Sequence, residues 1–258
     1  MNIIVCVKKV PEIDQVTVKD GKVESSGTGM TNPFDMYAIE EAIRLKEKTG
    51  DNIYALTFGP EDSEFALREG LSLGADSAVR IPDDDVPGSD IMAGARILAS
   101  AIAKIGDVKV VLFGKQAVDD DASSVPAAVA GFLNWPQILF VKKIREFGDE
   151  SITAERATED GFDVVEASLP AVISVVKEIN EPRLPSLKGK MKARKAKIEI
   201  MSLSDIGLET ETAGGGSPSR LIEAKEPPPR PRGEILEGIT PEELADKLVK
   251  RLKDNKII

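Results

Sequence analysis

Apolar positions in this chain first come in short continuous runs, then alternate with polar ones, then thin out. Residues 2–7, NIIVCV, make an unbroken run of strand length, the pattern of a strand buried on both faces. Ile53–Phe58, Ser77–Ile81 and Val110–Phe113 repeat it. Between these runs the period lengthens. With Asp35 as N-cap, a helix is expected to about Lys48. Ala38, Ala42 and Leu45, with Ile39 and Ile43, form its apolar stripe, and Glu40, Glu41, Lys46 and Glu47 take the other side. Gly50 stops it. Glu61–Ser72 after Gly59-Pro60, and the alanine-rich Ser89–Ile105 after the acidic loop Asp83–Pro87, read as further helices. Strand and helix alternating at this spacing predict an α/β fold with a doubly wound, mostly parallel sheet. Val16–Val18 and Lys22–Glu24 flank Asp20-Gly21 as a small hairpin, and Ser25–Thr31 reads as loop.

Beyond Trp135 the pattern changes. Ile138–Lys142, Ile152–Arg156, Asp163–Leu169 and Ala171–Val176 are strand candidates with no helices between them, and Pro170 marks a strand boundary. They are expected to add antiparallel strands to the sheet or to form a small β layer. Lys188–Lys197 holds six basic residues in ten, either a solvated face or a docking surface. Ala213–Ser219 and Glu226–Gly233 are linker-like. The chain therefore divides into an α/β domain over 1–212 and a linker with C-terminal arm over 213–258, whose helix covers 241–254. Thr240 with Pro241 and Glu243 opens that helix. Its stripe of Leu244, Leu248 and Leu252 packs on its own domain or on a partner subunit.

Lys109–Pro136 carries the candidate chemistry. A short strand turns at Gly114, a polar loop follows with Asp119, Asp120 and Asp121, and a helix runs from about Ser124 to Leu133. Ser123 or Ser124 is placed to cap it, and Pro126 suits its first turn. A loop at the carboxyl end of a strand, facing a helix N-terminus with unpaired N–H groups, suits phosphate. The alternative is a βα turn without ligand. Neither a P-loop nor a dinucleotide fingerprint occurs.

Composition narrows the chemistry. Of 258 residues, 41% are hydrophobic and 30% charged, which is ordinary globular usage. The formal net charge of -10 argues against general nucleic-acid binding. Histidine is absent and Cys6 is the single cysteine, which excludes His-dependent nucleophiles and an internal disulfide and disfavours metal centres. There is no apolar run of membrane-spanning length and no leader pattern, so a cytoplasmic protein not itself inserted in a membrane is expected.

Four separated segments resemble the electron transfer flavoprotein β subunit. They are residues 3–10 (IIVCVKKV), 32–48 (NPFDMYAIEEAIRLKEK), 114–137 with GKQAVDDD and FLNWPQ, and 180–187 (NEPRLPSL) with the basic run after it. Arg156–Ser174, with Asp160, Gly161 and Leu169-Pro170-Ala171-Val172, resembles the family's fingerprint segment, except that Ala157 stands where a glutamate follows the arginine.

The resemblance implies a Rossmann-like, adenine-nucleotide-binding domain acting as the non-catalytic subunit of a heterodimer. The partner α subunit would hold FAD, and this chain structural AMP. Electrons would arrive from dehydrogenases, such as acyl-CoA dehydrogenases, and leave to a membrane quinone oxidoreductase. Cys6, Phe58 and Asn32, Pro33, Phe34 and Asp35 would surround the adenosine. Gly114, Lys115, Gln116, Ala117, Val118, Asp119 and Asp120 would form the nucleotide loop. The backbone of Asp121, Ala122, Ser123, Ser124 and Val125 would hold the phosphate. Repulsion should turn the three aspartates towards backbone groups or ribose hydroxyls. Glu181, Pro182, Arg183, Leu184, Pro185 and Leu187 would recognise the partner dehydrogenase. Within the family, the rival is an electron-bifurcating subunit holding a second FAD reduced by NADH. Asp120, where that group resembles a glycine pattern, favours AMP, whereas Val125-Pro126 leans the other way. Outside the family, the alternative is a stand-alone adenine-nucleotide sensor or hydrolase of similar fold.

Overall fold

The computed structural model describes residues 1–84, 86, 90–211, 213, 219, 222–229 and 232–258. They fall into two units, Met1–Ala224 and Lys225–Ile258. Parts of the acidic loop 83–87, the expected helix start at Ser89, most of Ala213–Ser219 and part of Glu226–Gly233 lie outside the described residues.

The first unit opens with β1 (Asn2–Cys6). Its alternate side chains enter two different cores. Ile3 and Val5 join one cluster, and Ile4 and Cys6 the other. Both faces are thus covered, which is what an unbroken apolar strand requires. β2 (Lys9–Val10), the hairpin strands β3 (Val16–Lys19) and β4 (Lys22–Ser25), and β5 (Met30–Thr31) follow. Asp20 and Gly21 both have positive φ, the turn geometry that Asp-Gly favours. The expected loop 25–31 is not wholly irregular, because its last two residues pair with β2.

α1 (Pro33–Thr49) starts two residues before the expected cap. Asn32 is its N-cap and Asp35 lies inside the first turn, with its carboxylate serving other partners. Gly50 ends the helix in the left-handed conformation and donates its N–H to Lys46 O. β6 (Asn52–Phe58), α2 (Glu64–Leu73), β7 (Ser77–Ile81), α3 (Ile91–Ile105), β8 (Val108–Gly114) and α4 (Val125–Leu133) continue the alternation. α1 and α2 pack on the Ile3 face, and α3 and α4 on the Ile4 face.

The second half departs from expectation. β9 (Gln137–Phe147), β10 (Ser151–Ala157) and β11 (Phe162–Ser168) form an antiparallel run at one sheet edge, the first of the two arrangements expected. β12 (Ala171–Val175), however, inserts between β8 and β9 and is parallel to both. The α4 crossover makes β9 parallel to β8 but leaves a one-strand gap, and two hairpin turns return the chain to fill it. All five β12 residues are buried, as its central place demands. α5 (Leu187–Lys195) and the edge strand β13 (Glu199–Ile200) complete the unit. The sheet order is β11-β10-β9-β12-β8-β1-β6-β7-β13. In the second unit, α6 (Pro241–Asp254) is capped by Thr240 Oγ1, which accepts from Glu243 N. No described helix is long and apolar enough to cross a membrane.

Glu40 and Glu41 correct the sequence reading, because both are buried rather than on a solvated face. Residues 180–183, about 140 positions away, explain them. Asn180 Nδ2 donates to Glu41 Oε2 at 3.0 Å. Arg183 Nε and Nη2 donate to the two Glu40 oxygens at 2.8 and 3.1 Å, and Nη1 donates to Glu47 at 2.6 Å. Burial opposes the Glu40 charge, but Arg183 and Arg44 outweigh it and hold the carboxyl below its usual range. Such a group contributes stability above its unfolded pKa of 4.5, lost as pH falls through the lower folded value. Replacing Arg183 by alanine should cost about 2 kcal/mol near neutral pH, less than a fully buried pair because Arg183 is partly exposed. Urea unfolding at fixed protein concentration checks this, and the deficit should shrink below about pH 4.

Candidate functional site

From β1 the chain proceeds to one side through α1 to β6 and β7. From β8 it proceeds to the other through α4. The reversal between β1 and β8 opens a crevice beyond their carboxyl ends, at Cys6 and Gly114. A cleft of about 710 Å³ lies there.

Its base is built on Asp35. Asp35 Oδ2 accepts the Lys8 N–H at 2.8 Å, Oδ1 accepts from Asn32 Nδ2 at 2.8 Å, and the carboxylate also accepts the Gly114 N–H. Asn32 Nδ2 donates further to Gln116 O at 2.8 Å, and its Oδ1 accepts from Val118 N. Two strand ends, a helix start and the acidic loop thus meet on two side chains. Gly114 permits the approach, since a Cβ there would lie 2.6 Å from Asp35 Oδ1 and from the Phe34 carbonyl carbon.

The acidic loop pairs its charges with Lys8 and with groups of the loop itself. Lys8 Nζ meets Asp119 at 2.8 Å and Asp120 at 3.3 Å. Asp120 Oδ1 accepts the Ala122 N–H at 3.1 Å, and Asp121 Oδ1 accepts from Gln116 Nε2. Burial pulls the Lys8 pKa down, yet the two aspartates hold it above the ordinary lysine value. Asp121 and Ser123 have positive φ, and Ser124 returns to the right-handed region. Left- and right-handed residues in succession turn neighbouring N–H groups towards one point, an anion-binding geometry. Neither serine caps α4 with its side chain, contrary to expectation, and Ser124 Oγ donates to Ala122 O instead. Phe58, Phe113, Met92 and Leu98 supply an apolar wall.

Of the residues singled out in the sequence, Cys6, Asn32, Asp35, Phe58, Gly114, Gln116, Ala117, Asp120, Ala122, Ser123, Ser124 and Val125 line the cleft. Pro33, Phe34, Lys115, Val118, Asp119 and Asp121 are not part of its wall. Asp119 acts on it through Lys8, and Phe34 sits behind Gly114. Val7, Lys8, Met92, Leu98 and Ser219 line it without having been singled out. Lys8 was legible in principle, since it follows the first strand at the end where ligands sit. Met92 and Leu98 were not, because their position depends on how α3 crosses the sheet.

A family model described as Electron transfer flavoprotein domain matches residues 20–206. The chain belongs to the electron transfer flavoprotein β-subunit family. It is 36% identical over 263 residues to the electron transfer flavoprotein subunit beta of Thermoanaerobacterium thermosaccharolyticum, covering both chains completely. It is equally identical, over the full length of both, to the caffeyl-CoA reductase-Etf complex subunit CarD of Acetobacterium woodii. The Megasphaera elsdenii subunit beta is 35% identical, again over both full lengths. Electron transfer flavoprotein β subunits carry electrons together with an α subunit rather than catalyse a reaction of their own.

The segment resembling this family's recognition loop is not all loop. Arg183 turns inward to α1, Leu184 is 91% exposed, and Leu187, 78% exposed, opens α5 behind the Ser186 cap. The basic run forms α5 itself, with Ala193 buried and most of its lysines outward.

Burial pushes the Asp35 carboxyl up from 3.8 to about 7, against the hydrogen bonds from Asn32, Lys8 and Gly114. Between those values the folded protein keeps a proton that the unfolded chain has released. Its contribution to stability should therefore fall as pH rises from 3.8 to about 7, by up to roughly 4 kcal/mol. Urea midpoints across that range should show the decline in wild type and a flatter profile in Asp35→Asn.

Proposed function

We propose that this chain is the β subunit of a heterodimeric electron transfer flavoprotein with AMP in the switch-point cleft. In this reading it accepts electrons from dehydrogenases, such as acyl-CoA dehydrogenases, through FAD held mainly by the α subunit. A membrane quinone oxidoreductase receives them. FAD supplies the redox chemistry; this subunit binds, orients and shields. The observation that carries the nucleotide assignment is the loop before α4. Its three carboxylates are engaged by Lys8, the Ala122 N–H and Gln116. The Ala122 N–H is thereby spent and the Asp121 N–H bonds Ala117 O, so of the five expected positions Ser123, Ser124 and Val125 are the ones whose N–H groups would face a phosphate. The apolar wall of Phe58, Met92 and Phe113 suits the base.

A second reading is an electron-bifurcating subunit, with a second FAD in the cleft reduced by NADH. Val125-Pro126 and the likeness to a reductase–Etf complex subunit favour it. Against it, Asp120 brings a side chain to the wall where glycine would leave room. Denaturing the purified yellow complex and chromatographing the released nucleotides decides. One AMP per heterodimer is expected, and two FAD would establish bifurcation. A colourless protein purifying without a second chain would favour a stand-alone nucleotide sensor.

Two surfaces suit partners. The arm's Leu248 is half exposed, and Ile235 and Ile239 are almost fully so, an apolar load that an α subunit would cover. Leu184 and Leu187 stand out from a proline-stiffened segment, the form of an anchor for a dehydrogenase pocket. Leu187→Ala should weaken apparent affinity for the donor dehydrogenase by about 1–3 kcal/mol. Flavin content and melting temperature should stay unchanged, and flavin bleaching by the reduced donor measures the effect.

A further inference from the structure

The cleft is a poor place for an anion unless one side chain corrects it. Among the described residues that line it, four are acidic, Asp35, Asp83, Asp90 and Asp120, and two are cationic, Lys8 and Lys9. Lys9 is committed to Asp62. Lys8 is fixed at both ends. Its backbone N–H is held by Asp35 at 2.8 Å, and its Nζ reaches more than a hundred residues along the chain to Asp119 and Asp120. An ammonium has three donors, these two carboxylates leave capacity for a third acceptor, and Lys8 itself lines the cleft.

We propose that Lys8 is the positioning residue for the nucleotide phosphate: it draws the carboxylates of Asp119 and Asp120 off the α4 N-terminus and offers its remaining donor to a phosphate oxygen. The inference rests on the nucleotide reading above and deepens it. It makes the site selective for phosphorylated over unphosphorylated nucleosides. Without the lysine charge, the two aspartates would repel an incoming dianion through a partly desolvated region, where such repulsion is strong. The base would feel little change, because its wall is apolar and lies on other elements.

The test compares AMP with adenosine on nucleotide-stripped heterodimer by titration calorimetry. Lys8→Gln should weaken AMP binding roughly 10- to 100-fold, the range of a lost charge-assisted contact, and leave adenosine within about twofold. Lys8→Arg should restore most of the AMP affinity. Raising salt should weaken AMP binding to wild type more than to Lys8→Gln. Equal loss of AMP and adenosine would overturn the proposal by making Lys8 a general structural support, and so would unchanged AMP affinity in Lys8→Gln. A wild-type heterodimer that binds neither compound would overturn the nucleotide reading itself, and the proposal with it.

Discussion

Asp35 accepts backbone N–H groups from the ends of two adjacent parallel strands, and the cleft takes its form from that junction. Where a doubly wound sheet reverses direction, the strand ends have no common connection to hold them in register. A buried carboxylate within the first turn of α1 supplies one, and Asn32 extends it to the acidic loop. Desolvation makes this costly for a charged group, which is why the carboxyl is pushed up towards neutrality. The contact is also sterically exact about its neighbour, since only glycine fits at 114.

The same junction explains how three consecutive aspartates precede a helix N-terminus suited to anions. Negative side chains near a helix start are favourable towards the helix but hostile to a phosphate at that spot. The loop resolves the conflict by geometry. Left-handed residues at 121 and 123 turn the chain, and a lysine from β1's exit gathers two of the carboxylates.

Much of this architecture was legible from periodicity. The apolar runs at β1, β6, β7 and β8 are strands because both of their faces must be covered, and the stripe of α1 packs as its spacing requires. Glycine placed the stop of α1, although its start lies two residues before the expected cap, and Asp-Gly placed the hairpin. Long-range pairing was not legible. Glu40 and Glu41 look like solvated residues until Arg183 and Asn180 arrive from the far end of the domain. β12 carries the apolar pattern of a central strand and the lack of helices before it was legible, but nothing local says that it lies between β8 and β9 and parallel to both. In the site, the strand–loop–helix order pointed to an anion, whereas Lys8, the partner of two of its aspartates, came from the exit of another strand.

Arg183 divides the segment before α5 into two kinds of position. Asn180 and Arg183 are bound to α1, and a change at either disturbs the domain. Leu184 and Leu187 project into solvent and carry almost none of the fold's own packing. The outward positions can therefore be rewritten while the inward ones keep the backbone where it is. On the proposed docking role of Leu184 and Leu187, a lineage could exchange one electron donor for another through a few surface substitutions, leaving the sheet, its reversal point and the cleft untouched. Donor choice would then be a detachable property of the subunit.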